Sequence, residues 1–291
     1  MELSTALFAN AIIAGLLLGG FYAAVSVGIS ISFGVLDVVN IAHPGFIILG
    51  SYIAYILNDR FGIDPILVSL AASPLFFLLG MMLYRVYYLC FERRGQESLR
   101  GLAFFFGILF ITEVALVLVF GVDYRLVKTA YSETTWRLGA VDFPLRLVVP
   151  FLVSLAMVIG LQLFLGGTFF GRAVLAVAQD PFALRLMGVN PVRIKELAFA
   201  LSIASAGIAG AFLIVIQPVQ PSIGREFIGL AFAVCVLGGM GSIWGALLGA
   251  FVLGLAESFT STFFGPSWAP AVSFGLLLAT LAFRPSGILG R

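Results

Sequence analysis

LGGMGSIWGALLG, residues Leu237–Gly249, sits inside an apolar run over 227–257 and carries glycine at 238, 239, 241, 245 and 249. The whole run is longer than the roughly 20 residues that one crossing of a bilayer needs. Whether the chain passes through or doubles back at these glycines sets the direction of every later helix. Composition comes first. Hydrophobic residues make up 61% of the 291 and charged residues 10%. A soluble domain of this length needs polar faces on most of its helices, and too little polar material is present to supply them. The chain reads as an all-α, polytopic transmembrane helical bundle.

Apolar stretches fall at 6–34, 45–57, 65–90, 101–120, 147–166, 197–217, 227–257 and 267–283. The run from Ala6 to Leu36 has no basic segment before it and is too long for the core of a cleaved signal, so it reads as a retained first span. Basic residues set the orientation. Arg85, Arg93, Arg94 and Arg100 mark one cytoplasmic loop, and Arg172, Arg185, Arg193 and Lys195 a second. Arg284 and Arg291 place the tail on the same side. The 121–146 loop mixes Arg125, Lys128, Arg137 and Arg146 with Asp123, Glu133 and Asp142, and is assigned outside.

Spans 65–90, 101–120, 147–166 and 197–217 then alternate and leave residue 220 outside. The last span must run inward to bring Arg284 to the cytoplasm. The run 227–257 therefore starts and ends outside, as two short segments that turn back within Leu237–Gly249, each half too short for an ordinary span. The expected architecture is about eight spans with two broken or re-entrant segments, around 33–57 and 227–257. It forms a single transmembrane domain over 1–291, with a cytoplasmic loop 167–196 and an extracytoplasmic loop 121–146.

Two interrupted segments, one early and one late, point to a solute path in transport folds built from repeated halves. Irregular backbone at membrane depth is tolerated only where it is buried in protein or lines a wet cavity. The path candidates are Asn40, His43 and Gly45 at the first break and Gly238, Gly239, Gly241 and Ser242 at the second. In VVNIAHPGFIILG (Val38–Gly50), Pro44 removes a donor and disfavours helix at His43. Carbonyls freed around Val39–Ile41 need partners, which the Asn40 amide and the His43 ring can supply. Two roles stay open for these side chains: repair of the break alone, or bordering the solute route. Asp37, Glu113 and Glu257 are further ionisable residues in or near apolar segments. Glu113, the deepest, reads as a lone protonated carboxyl bonded to a neighbouring helix. Gly15–Gly19, Gly245–Gly249 and Ala246–Ala250 have the small-residue spacing of close helix contacts.

Several classes drop out. The two cysteines, Cys90 and Cys235, have no metal-ligand spacing, and no metal site is assigned. The basic residues are scattered, without a nucleic-acid tract. A phosphate-binding loop needs G-x-x-x-x-G-K-[ST], and neither lysine, Lys128 or Lys195, sits in one. ATP would be hydrolysed elsewhere. The one histidine has no Ser or Cys in its local segment, so no catalytic residue is assigned.

The cytoplasmic stretch GRAVLAVAQDPFALRLMGVNPVRIKELAFAL (Gly171–Leu201) is the most informative. Asp180-Pro181 is an N-cap followed by Pro at the first helical position. Gly188 is a stop signal after Met187, and Asn190-Pro191 repeats the start signal. A helix of about two turns, Pro181–Met187, is fenced between two others. Phe182, Leu184, Leu186 and Met187 are too apolar for a free loop, which favours docking on a partner over packing on the bundle.

AVAQDPFALRLMGVNPVRIKELAF (Ala176–Phe199) resembles the coupling loop of ABC importer permeases, in particular the branched-chain amino-acid permease family. FGVLDVVNIAHPGFIILGSY (Phe33–Tyr52), VLGGMGSIWGALLGAFVLGLAE (Val236–Glu257) and RPSGILGR (Arg284–Arg291) resemble, in order, that family's early signature, late glycine-rich signature and end. Pro44 stands where many members have Gly. The resemblance implies a multi-pass bacterial inner-membrane subunit, in contact with lipid, without a cofactor of its own. The implied partners are a second, homologous permease or a second copy, two ATPase subunits that bind ATP, and an extracytoplasmic substrate-binding protein. It implies ATPase coupling through Ala178, Asp180, Pro181, Phe182, Leu184 and Gly188, with Arg193 on the ATPase or on lipid phosphate. The expected cargo is a branched-chain or other hydrophobic amino acid, or a related small amide or acid. The alternatives are a stand-alone secondary transporter or channel, which would need coupling-ion ligands, and a membrane-embedded enzyme.

Overall fold

The computed structural model describes residues 2–95, 98–139 and 141–290. Arg291, expected at the cytoplasmic tail, lies outside them. In chain order the helices are α1 Glu2–Ser32, α2 His43–Phe61, α3 Pro65–Cys90, α4 Ser98–Phe120, α5 Leu145–Gly167, α6 Phe169–Gln179, α7 Pro181–Leu186, α8 Pro191–Ile216, α9 Gly224–Gly238, α10 Ile243–Phe263 and α11 Ala269–Phe283. The α4–α5 loop holds an antiparallel pair, β1 Thr135–Leu138 and β2 Val141–Pro144, in register Trp136–Phe143. The all-helical expectation did not include this hairpin. Eight helices among the described residues, all but α2, α6 and α7, are long and apolar enough to cross a membrane once the short 3-10 turns before α9 and α11 are counted with them.

Contacts between chain ends fix the two sides of the bundle. At one end Lys195 Nζ donates to Glu92 Oε1 at 2.7 Å. The tail joins this end, where the Ile288 and Leu289 amides donate to the Leu237 and Gly238 carbonyls, each at 2.9 Å. These segments carry the basic loops that the sequence assigns to one side of the membrane. At the other end the Asp142 amide donates to Asn10 Oδ1 at 2.9 Å, and Arg125 and Val219 exchange backbone hydrogen bonds at 2.8 Å. The N-terminal half of α1 therefore lies at the end opposite the basic loops, with the 121–146 loop.

Gly239–Ser242 forms the expected turn, beside Gly34 after α1 and beside the tail. The difference lies in length. α10 runs on past Glu257 to Phe263 and is long enough to cross by itself. Glu257, at the end of the apolar run 227–257, lies within the helix, where its carboxylate accepts hydrogen bonds from Tyr22 and Ser273. The helix after the early break is also longer than the apolar stretch 45–57 suggested. α2 starts at His43, level with Val25 and Gly28 of α1 and so inside the bundle. It continues to a left-handed Gly62 (φ 65°).

Most of α8 is buried, packed on α1, α2 and α3. The glycine spacings do what their pattern predicts. A Cβ on Gly254 would stand 2.5 Å from the Gly15 carbonyl oxygen and 2.6 Å from the Gly19 amide nitrogen, so α1 and α10 touch backbone to backbone. Gly245 meets Gly238 in the same way and joins α10 to α9. In a bilayer such close approach is a main source of helix adhesion, because lipid offers no hydrophobic driving force between helices. Gly254→Val should lower the stability of the purified chain by about 1–3 kcal/mol, read from thermal unfolding in detergent. Gly160→Val, in α5 where no atom lies within 4 Å of the added carbon, should leave the midpoint in place. Equal midpoints would contradict the α1–α10 contact.

Candidate functional site

The cytoplasmic element is built from strong local signals. Asp180 Oδ1 accepts from the Phe182 and Ala183 amides at 2.9 and 3.0 Å, which caps α7, and Pro181 needs no donor partner there. Met187 ends the helix and Gly188 follows at φ 79°, a conformation that favours glycine. Asn190 Oδ1 then accepts from Val192 and Arg193 at 3.0 and 3.4 Å and opens α8. The observed α7 ends one residue before Met187, and its side chains divide between two directions. Leu184 turns inward and is buried, whereas Phe182, Leu186 and Met187 are 68–79% exposed. Ala178, near the end of α6, and Arg193, in the first turn of α8, are also exposed.

At the first break, His43 and Asn40 are buried. His43 Nε2 lies 3.1 Å from the Val25 carbonyl oxygen; a carbonyl only accepts, so this nitrogen carries the proton. The imidazole thus joins α2 to α1 instead of serving the carbonyls at Val39–Ile41. The Asn40 amide has no hydrogen-bond partner among the described residues. Backbone amides repair the end of α1: Val35 and Leu36 return to Ile31, and Val38 to Ser32, across Asp37 at φ 61°. Gly45 packs against Leu109 of α4. At the second break Gly238 closes on Gly245, Gly239 and Gly241 hold φ of 103° and 81°, and Ser242 Oγ caps α10 through the Gly245 amide at 3.0 Å. The two breaks meet where Gly34 lies against Gly241.

The structure also pairs charges that the sequence left apart. Arg225, in the first turn of α9, donates from Nε and Nη2 to both oxygens of Glu113 in α4, at 2.9 and 2.6 Å. Glu113 is therefore half of an ion pair and not a lone protonated acid. No local pattern links Arg225 to a residue 112 positions away. At the cytoplasmic end Glu92 is held by Lys195 and by the Tyr84 hydroxyl, both at 2.7 Å. It borders a cleft of about 400 Å³ with Asp37 and Tyr87. On the outer side, burial and then the Asp64 carboxylate push the Tyr131 hydroxyl up to about 12, so this link from the loop to the start of α3 stays protonated at neutral pH.

Over residues 11–281 the chain matches the family described as branched-chain amino acid transport system / permease component. It is 32% identical to the high-affinity branched-chain amino acid transport system permease protein BraD of Pseudomonas aeruginosa, over 95% of this chain and 94% of that one. Two high-affinity branched-chain amino acid transport system permease proteins of Escherichia coli K12 are also similar. LivH is 29% identical (95% of this chain, 94% of LivH) and LivM 28% (92% and 67%). Among solved structures, PsaBC from Streptococcus pneumoniae in complex with Fab shares the fold, with a TM-score of 0.50 at 14% identity over 95% of this chain and 91% of that one.

Asp180→Ala removes both cap bonds of α7 and should cost about 1 kcal/mol of local stability. Amide hydrogen exchange at Phe182 and Ala183 should then quicken about fivefold. Unchanged exchange would contradict the cap.

Proposed function

We propose, because this chain belongs to the branched-chain amino acid transport permease family, that it is the membrane subunit of an ATP-driven importer for branched-chain or other hydrophobic amino acids and related small amides and acids. Separate ATPase subunits bind and hydrolyse the ATP. The carrying observation is α7, a capped helix with Phe182, Leu186 and Met187 exposed and Leu184 keyed into the bundle. Exposed apolar side chains on a rigid projection are the chemistry of a docking knob. Here the occupant is a groove on the ATPase.

The route of force follows from the packing. A push on α7 is delivered to α8 through Gly188–Asn190. The Lys195–Glu92 bond ties the start of α8 to the end of α3, and the more exposed Arg85–Glu196 pair at 3.9 Å adds a weaker link. Further in, α8 touches α2 backbone to backbone, Gly210 on Ile47 and Gly207 on Gly50. Movement of α8 therefore reaches the N-terminus of α2 at the first break, the kind of two-state shift that partner contacts bias. The unpartnered Asn40 amide supports a path there, since a buried polar group without a partner is unfavourable and a second arrangement with water or solute would satisfy it.

Two related permease proteins in Escherichia coli K12 support a second, related permease beside this chain. An extracytoplasmic binding protein delivers the solute, and the assembly sits in the bacterial inner membrane. A stand-alone carrier would need ligands for a coupling ion, and one membrane acid, Glu113, is already taken up by Arg225.

Phe182→Glu or Gly188→Glu should abolish ATP-dependent uptake in vesicles carrying the whole transporter while the amount of inserted permease is unchanged. Normal uptake by both variants would contradict the docking role of α7.

A further inference from the structure

Between α1, α9, α10 and α11 lies a cavity of about 380 Å³, within the roughly 300–1,000 Å³ of small-molecule sites. Gln217 at the outer end of α8 and Pro266 and Pro270 at the outer start of α11 line it, so it lies toward the extracytoplasmic side. The solute-path assignments from the sequence lie elsewhere.

Two groups of opposite charge line the cavity. Glu257 is buried; its Oε2 accepts from the Tyr22 hydroxyl at 2.6 Å and its Oε1 from the Ser273 hydroxyl. Both neighbours donate, which holds the carboxylate in place as an acceptor. A carboxylate has about four acceptor positions, so capacity remains for a further donor. Arg225 uses Nε and Nη2 on Glu113, its Nη1 makes no hydrogen bond among the described residues, and its side chain is 60% exposed. Glu226 adds a second carboxylate to the lining, and Leu18, Leu230 and Phe274 supply apolar wall. Glu257 is the one of these charged groups that is buried, and an ionisable side chain held inside a membrane bundle is a functional candidate.

We infer that this cavity is a substrate site of the permease itself, for an aliphatic amino acid held by its ammonium group on Glu257. The carboxylate of the ligand reaches the free Nη1 of Arg225, and the hydrocarbon side chain lies along Leu18, Leu230 and Phe274. With two carboxylates against one guanidinium already paired to Glu113, the site favours a ligand that brings a positive charge. This deepens the importer reading on which it rests: the ammonium group becomes a requirement, and acids or amides without one are poor cargo at this step.

Ligand-observed NMR on the purified full chain in nanodiscs tests the site with L-leucine, isopentylamine (no carboxylate) and 4-methylpentanoate (no ammonium). Leucine and isopentylamine should bind, and 4-methylpentanoate about tenfold or more weakly. Glu257→Gln should weaken leucine by a similar factor, and Arg225→Gln should weaken leucine while sparing isopentylamine. No leucine binding to the unaltered chain, equal binding of 4-methylpentanoate, or full binding by Glu257→Gln would overturn the site. The ligand series on the unaltered chain keeps the test decisive where a variant fails to fold. ATP-dependent leucine uptake by the assembled transporter separates the two claims. Uptake without binding here removes only the site, and binding without ATP-dependent uptake removes the importer reading instead.

Discussion

Backbone N–H and C=O groups in the hydrocarbon of a bilayer must find partners within the protein, and this chain interrupts its helices twice inside the bundle. Each interruption is satisfied differently. After α1, the Val35, Leu36 and Val38 amides fold back onto the last carbonyls of that helix, and Asp37 takes the left-handed conformation that the reversal needs. Aspartate is among the few residues other than glycine that tolerate it. At the Gly239–Ser242 turn the Gly239 amide donates back to the Cys235 and Val236 carbonyls, and the Leu237 and Gly238 carbonyls accept from the Ile288 and Leu289 amides of the tail. The broken segments are thus closed, and α2 and α9 can begin inside the protein, where Gly224 approaches the Pro44 carbonyl.

Glycine contacts make this arrangement transmit movement. Where Gly207 and Gly210 lie on α2, and Gly15, Gly19 and Gly254 join α1 to α10, no flexible side chain intervenes to absorb a displacement. Ion pairs add direction at the cytoplasmic rim, because Lys195 and Glu92 are largely shielded from solvent and hold α8 to α3 next to the projecting α7. The element a partner would grip is therefore mechanically continuous with the element that carries the early break. The outer cavity sits beside α9, whose first turn is anchored to α4 by Arg225 and Glu113.

Legibility in the sequence followed the range of the interactions. The α7 region could be read almost to the residue because its signals are local: Asp180 caps within three positions, Gly188 ends the helix, and Asn190-Pro191 begins the next. The crossing helices were legible from apolar length, and the turn at Gly239–Ser242 from the alternation of basic loops. Long-range polar contacts were not. The partner of His43 is the carbonyl of Val25, which no side-chain pattern marks. Glu257 suggested a helix end because its two hydroxyl partners come from α1 and α11. The hairpin at 135–144 consists of two four-residue strands, too short for alternation to stand out in a mixed loop.

The account makes this chain a device that is moved by others and gathers no solute by its own energy. The most direct measurement is solute accumulation in proteoliposomes that contain this permease with its permease partner and binding protein, prepared with and without the ATPase subunits, at equal ATP and with ion gradients collapsed. Accumulation should appear only when the ATPases are present. Concentrative uptake without them would contradict the account.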